Sequence, residues 1–273
     1  MANPIKIVTW NVNSARARLT RILSFLERHT PDIICLQEIK ATQGSFPFAA
    51  LEDIGYKSFI CGQPSYNGVA ILAKETVTNV RMGLDNEARV IAGSIHDLRV
   101  VNVYVPNGRR IGMPKHAYKL RWLDELKLFL ETEREKYEEF ILTGDFNIAF
   151  NDLDVSHPDN WRDSVLCDPA ARKKLTDLME EFSLSDILRK HAPGPGVYTW
   201  WDYRTRGFEW NDGVRIDHIL ATPQLAALSA NSWVDVEERD LERPSDHAPV
   251  LMRLFHQPNQ HNQHSQLSAP PAS

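Results

Sequence analysis

Ile141-Leu-Thr-Gly-Asp-Phe-Asn147 carries the first decision about the fold: a short apolar run ends abruptly in a polar tip bearing Asp145 and Asn147. Ile7-Val-Thr-Trp-Asn11, near the start of the chain, has the same form. Four to six apolar residues closed by turn-forming ones read as buried strands. Between the two copies, Arg16–His29 places Leu19, Ile22, Leu23 and Leu26 at helical spacing, and Pro31-Asp32 ends it. Ile33–Leu36 follows as a strand. Two halves built alike would bring both tips to one sheet edge.

Working outward, Val69–Ala73, Val90–Ile95, Arg99–Val105, Phe140–Thr143, Val214–Leu220 and Val250–Leu254 are further strand candidates. Lys115–Tyr137 is the longest helical pattern, with Leu120, Leu123, Leu126, Leu128 and Leu130 as its apolar face. Asp168-Pro169 opens a helix over Ala170–Glu181 in N-cap then N1 chemistry. Strands and helices alternate without a Ser/Gly-rich linker, which predicts a single α/β domain over residues 1–255. His256–Ser273 has no Lys, Arg, Asp or Glu and is read as a disordered polar tail.

The 273 residues are 42% hydrophobic and 25% charged, proportions of a globular protein. No apolar run approaches the roughly 18 residues that span a bilayer, and no signal core follows the N-terminus, so the expectation is a cytoplasmic protein without a membrane partner. Three scattered cysteines exclude a disulfide framework or a paired-cysteine zinc site. A net charge of −5 argues against non-specific coating of nucleic acid. Yet Val103–Arg121 holds five basic residues and no acidic one, whereas Glu131–Glu139 holds five glutamates. That pattern fits a protein meeting a polyanion on one face.

The chain lacks a Walker loop, Gly-x-Gly-x-x-Gly, His-Glu-x-x-His and Gly-x-Ser-x-Gly. Polar residues gather instead where strands end: Asn11, Asn13, Gln37, Glu38, Tyr104, Asn107, Asp145, Asn147, Asp217, His218 and Ser245-Asp-His247. Carboxylates and amides without thiols favour a hard cation such as magnesium or manganese, which can hold phosphate oxygens. Each piece has a plainer reading: Glu38 as a cap, Asp145-Phe-Asn147 as an Asx turn, Asp246-His247 as a surface pair, Asp217 as a solvent-facing strand residue. Trp200, Trp201 and Trp210 could be core, and Arg109-Arg110 a solvated loop. Tyr198–Gly207 nevertheless interleaves aromatics with Arg, as where bases or sugars stack beside phosphates.

Thr9-Trp-Asn-Val-Asn13, Leu36-Gln-Glu-Ile-Lys40, Asn67-Gly-Val-Ala70, Asn102–Gly108, Gly144-Asp-Phe-Asn147, Thr199–Arg204, Arg215-Ile-Asp217 and Pro244–Pro249 occur in order. Together, from Lys6 to about Leu254, they resemble the exonuclease III family of apurinic/apyrimidinic endonucleases, within the endonuclease/exonuclease/phosphatase superfamily. The resemblance implies a four-layer α/β sandwich, two central mixed sheets flanked by helices. It also implies Mg2+ (or Mn2+) dependent cleavage of duplex DNA 5′ to abasic sites, or removal of 3′-terminal nucleotides and 3′ blocking groups.

By position, the implied metal set is Asn11, Glu38, Asp145, Asn147, Asp246 and His247. The implied catalytic set is Tyr104, Asp145, Asn147, Asp217 and His247. Implied DNA contacts are Asn13, Lys40, Asn107, Arg109, Arg110, Trp200, Trp201, Arg204 and Val214, with the tryptophans and Val214 enclosing a base-less sugar. The segment Asp163–Asp168 departs from the Gly- or Ser-containing form of endonuclease members, which points toward 3′-end exonuclease or 3′-phosphatase emphasis. The rival readings are a superfamily phosphatase, which has no use for Trp-Trp-Asp-Tyr-Arg, and a non-catalytic DNA-binding scaffold, which has no reason to keep the full polar set. A monomer is expected.

Overall fold

Ile7 and Val8 show how the layers arise. Adjacent strand residues face opposite sides, and these two enter different cores: Ile7 joins Ile33, Cys35, Ile141 and Ile219, while Val8 joins Ile34, Leu36, Ile22 and Phe25. A third core packs Val101, Val103, Phe140 and Leu142 against Trp122, Leu126 and Leu175. Three apolar seams require four layers: helix, sheet, sheet, helix. The computed structural model describes residues 4–255; the tail read over His256–Ser273 lies outside the described residues.

The strands are β1 (Ile5–Asn11), β2 (Ile33–Gln37), β3 (Lys57–Cys61), β4 (Val69–Ala73), β5 (Val77–Met82), β6 (Val90–Ile95), β7 (Leu98–Tyr104), β8 (Phe140–Asp145), β9 (Ser185–Asp186), β10 (Asp217–Ala221), β11 (Ser229–Val234) and β12 (Val250–Leu254). They form two six-stranded sheets, in the orders β11-β12-β1-β2-β4-β3 and β5-β6-β7-β8-β10-β9. Each has one parallel pair near its centre, β1/β2 and β7/β8. Each pair is joined by a helix, Leu19–His29 or Pro114–Arg134. The echo between Ile7–Asn11 and Ile141–Asn147 is therefore two like units, but on two facing sheets rather than one. Their tips meet across the sandwich.

A buried polar tie sets the two sheets against each other. Gln37 Nε2 donates to Asn102 Oδ1 at 2.7 Å, and Asn102 Nδ2 donates to the carbonyls of Leu36 (3.0 Å) and Ala70 (2.8 Å). Such groups are costly to bury unpaired, so the tie allows little sliding of one sheet over the other.

Three expectations change. The Val214–Leu220 strand begins only at Asp217, because Val214 leaves the sheet to bridge Trp200 and Val155. The long helix ends at Arg134 rather than Tyr137, and its Leu128 is exposed. Leu128 lies about 200° around the helix from Leu126, off the face that Trp122, Leu123, Leu126 and Phe129 bury. The helix read from Arg16 starts at Leu19. No helix among the described residues is long and apolar enough to cross a membrane.

Candidate active site

The C-terminal tips of the two parallel pairs deliver four side chains to one cleft: Asn11 from β1, Glu38 just past β2, Tyr104 from β7 and Asp145 from β8. Asn11 Nδ2 donates to both Glu38 Oε1 (3.0 Å) and Asp145 Oδ2 (2.9 Å), and the Tyr104 hydroxyl donates to Glu38 Oε1 at 2.9 Å. Asp145 reaches the cleft because Gly144 precedes it. Gly144 has φ +144°, and a Cβ there would stand 1.9 Å from the Val103 carbonyl oxygen. Five non-glycine residues at the same rim are left-handed: Glu38, Lys40, Asn67, Arg109 and Asn147 hold φ between +48° and +58°. Such conformations persist where surrounding structure over-determines them, commonly at functional sites.

Two antiparallel strands close the opposite wall. Asp217 opens β10 directly across from Asp145. His247, just before β12, sets Nδ1 2.8 Å from Asp217 Oδ2 and Nε2 3.8 Å from Asp145 Oδ2. The solvent-facing alternative for Asp217 fails: it is fully buried, and its Oδ1 has no hydrogen-bond partner. Ser245 Oγ bonds the Asn11 carbonyl at 2.6 Å and receives the His247 amide at 3.2 Å, fixing the turn that carries the histidine.

Charge follows from this packing. Burial alone would lower the His247 pKa, but Asp217 and Asp145 outweigh it and push it up to about 10, so the ring is an imidazolium. Burial raises Asp145 to about 7, with the Asp217 charge adding to the rise and His247 opposing it. Burial would also raise Glu38, but Lys40, Asn11 and His247 together hold it below the usual carboxylate range. Tyr104 is pushed well above its ordinary value by burial and by the Glu38 and Asp145 charges, so it stays a donor.

Glu38, Tyr104, Asn107, Asp145, Asn147 and His247 line one cavity of about 660 Å³. Paired hard carboxylates joined by an amide, with no thiol among the lining residues, suit a divalent cation. The ligand atoms of Asp145, Asp217 and His247 also lie within 4.8 Å of one another. There, however, the imidazolium already occupies the acidic pair. The Glu38–Asp145 side is the better cation seat.

A protein-family model described as the Endonuclease/Exonuclease/phosphatase family matches residues 8–247. The chain is 35% identical to the "Exodeoxyribonuclease III" of Haemophilus influenzae over 263 residues, 90% of this chain and 98% of that one. The chain belongs to the exonuclease III family. Among solved structures, a Neisseria protein described as the 3′ phosphatase NExo, bound to product DNA hairpin, matches with TM-score 0.89 and 41% identity, covering 92% of this chain and 99% of that one. An AP endonuclease from Archaeoglobus fulgidus matches with TM-score 0.89 and 37% identity, covering 92% and 100%.

The remaining positions implied by resemblance to the exonuclease III family divide into four groups. Asn107, Arg109 and Trp200 line the cavity. Asn13 and Lys40 stand beside it: Lys40 Nζ contacts Asn13 Oδ1 (2.6 Å) and Glu38 Oε2 (2.8 Å), and Asn13 Nδ2 bonds Asp246 Oδ1 at 2.9 Å. Two of the expected metal contacts, Asp246 and Asn147, line the cavity and are hydrogen-bonded within its wall. Asp246 also accepts Trp200 Nε1 at 3.0 Å, and the Asn147 side chain spans Asn107 Nδ2 (2.8 Å) and the Val105 carbonyl (3.0 Å). Asn147 N donates to Asp145 Oδ1 at 2.9 Å, so the Asx turn is real and leaves the carboxylate's other oxygen toward the cleft.

Besides Asn13 and Lys40, four more expected DNA contacts are not in the cavity lining. Trp201 is a core residue, packed on Phe208 with ring centroids 5.2 Å apart. Val214 is fully buried beneath Trp200 and supports the wall without reaching it. Arg204 is exposed and paired to Asp202, and Arg110 is exposed outside the lining. The sequence reading missed Arg89, Lys119, Leu166 and Ile216. Arg89 lies over the Tyr104 ring at 4.7 Å and donates to its carbonyl at 3.1 Å. Its signal, an Arg opening an otherwise apolar strand, was present in Ala88-Arg-Val-Ile91.

Proposed function

We propose that this cleft hydrolyses phosphodiester links of damaged duplex DNA, at abasic sites and at 3′ ends, with Mg2+ or Mn2+ seated by Glu38 and Asp145. One observation carries the reading: a single amide, Asn11 Nδ2, bonds both carboxylates while a charged His247 stands 3.8 Å from one of them. A divalent ion held by Glu38 and Asp145 would supply positive charge to the phosphate. His247, held by Asp217, donates to the phosphate and stabilises charge as it builds. Asp145 takes the proton of the attacking water, which Asn147 orients, as the water oxygen bonds phosphorus and the P–O link to the departing sugar oxygen breaks, that oxygen taking a proton from solvent. Tyr104, turning from the Glu38 oxygen to which it donates here, and Asn107, through its second N–H, donate to phosphate oxygens, and Arg109 meets the flanking backbone. The protein acts as a monomer.

Trp200, Leu166 and Ile216 provide the apolar wall of the cavity, suited to a sugar that has lost its base. Leu166 comes from the Asp163–Asp168 segment, and its place on that wall favours a second emphasis: removal of 3′-terminal groups, which need no extruded nucleotide. Three duplex oligonucleotides decide the balance: an internal abasic analogue, a nick, and a 3′-phosphate. With Mg2+ each is expected to be processed, and excess chelator is expected to reduce turnover to background. Retained turnover in chelator, or no product from any of the three, would refute the reading.

A further inference from the structure

Lys119 is a fully buried cation that, among the described residues, makes no ion pair. It projects from the helix Pro114–Arg134, and its ammonium donates to three backbone carbonyls: Asn147 at 2.7 Å, Val165 at 3.2 Å and Asn107 at 3.3 Å. Burying an ammonium costs several kcal/mol, about what a neutral side chain would avoid. The nearby Asp145 and Asp168 charges and three carbonyl dipoles offset that cost, the dipoles only while all three converge on one point. They come from three separate segments: the turn after β7, the turn after β8, and the short helical turn Val165–Cys167.

Each segment also carries a residue of the cavity wall: Asn107, Asn147 and Leu166. The side chains of the first two meet directly, Asn107 Nδ2 donating to Asn147 Oδ1 at 2.8 Å, and Asn147 N holds Asp145 Oδ1. Packing leaves little slack. A Cβ on Gly108 would touch Lys119 Cδ and Val165 Cγ2 at 3.0 Å each. We infer that Lys119 is a positioning residue for the reaction, pinning Asn107, Asn147 and the Leu166 wall in one mutual arrangement from behind the cleft. The inference rests on the phosphodiesterase reading of that cleft. Lys119 touches no reacting atom and acts through the two asparagines.

The test is steady-state cleavage of the abasic duplex by wild type, Lys119→Met, Lys119→Arg, Asn147→Ala and the Lys119→Met/Asn147→Ala double variant, with thermal unfolding of each. Misplacement of reacting groups by about 1 Å costs about 100-fold in rate. Lys119→Met is accordingly expected to lose about 100-fold in kcat with KM within a few-fold, and Lys119→Arg, which keeps charge and donors, to fall between it and wild type. In the Asn147→Ala background the Met substitution is expected to cost clearly less than it does alone, because one of the side chains it positions is gone. Should Lys119→Met not fold, Lys119→Arg is read alone: a lower kcat at unchanged KM supports the inference, and wild-type kcat overturns it. Losses that multiply in the double variant, or an effect on KM alone, also overturn it. Wild type without turnover would instead overturn the phosphodiesterase reading.

Discussion

His218 and His247 are both buried, yet the first is driven down to about 4 and the second up to about 10. Burial pushes both downward. The difference lies in the company each keeps. His218 stacks on Phe150 at 4.1 Å, donates Nε2–H to the Ile148 carbonyl at 2.9 Å, and faces the Arg215 guanidinium 3.2 Å from Nδ1. A neutral ring that gives one proton and receives one satisfies all of that. His247 faces Asp217 and Asp145, with Asp246 adding to the field, and is held charged. Asp217 and His218 are neighbours on β10 whose side chains leave by opposite faces. One strand thus serves a structural ion network on one side and the cleft on the other.

Removing each centre should break different properties. His247→Gln, which keeps a donor but no charge, is expected to lower kcat by about 10²–10³-fold, the range seen when a charge-stabilising donor is lost. It leaves Asp217 and Asp145 buried without their cation, so stability should fall as well, and kcat is read per folded molecule. Turnover within tenfold of wild type would mean that the charge on His247 plays no part in the chemistry. The converse variant is Arg215→Met. Arg215 joins Asp154 and Asp186 at 2.7 Å each, and Arg189 shares Asp154. Breaking a buried network of this kind costs about 3–5 kcal/mol, so urea denaturation should register a loss of that order. Activity per folded molecule should remain, and a large fall in kcat with stability intact would reverse the assignment of the two faces.

The contrast also explains what could be read in advance. All eight interior strands, β1, β2, β4, β6, β7, β8, β10 and β12, appear in the sequence as short apolar runs because both of their faces are covered. The four that escaped notice, β3, β5, β9 and β11, are the four sheet edges. Val77-Thr-Asn-Val-Arg-Met82 buries only part of itself, and Ser185-Asp186 is two residues long. Neither leaves an apolar run. At the cleft, Glu38, Asp145 and His247 stood out because carboxylates and a histidine rarely end apolar strands together. Trp201 and Val214 could not be told from wall-lining residues, since an apolar side chain reads alike on either side of a wall. Lys119 lay inside a basic run whose other members are surface groups, and nothing in the spacing marks a lysine whose partners are carbonyls of distant loops.

Proton linkage gives the finest separation of the two histidines. The unfolded chain protonates His218 near 6.5, whereas the folded chain does so only near 4. Between those values the unfolded state holds the extra proton, so the stability from neutral His218 is complete above pH 6.5 and is lost as pH falls toward 4. Asp145 works against it. Its folded value near 7 lies above the unfolded one near 3.8, so the folded state holds the extra proton and the associated stability is lost as pH rises through that window. His247 adds its own contribution higher up, complete below 6.5 and lost as pH rises toward 10. In chelator, between pH 4.5 and 6.5, the first two oppose one another, while His29 and His191, both lowered by burial, add to the His218 side. His218→Gln, which still offers an amide donor to the Ile148 carbonyl, removes one side of the balance. Relative to wild type, its stability is expected to fall with rising pH across the same interval, by a few kcal/mol at most, at about 1.4 kcal/mol per pKa unit. Parallel curves for the two proteins would show that His218 is charged in the fold, and the distinction drawn between the two rings would then be lost.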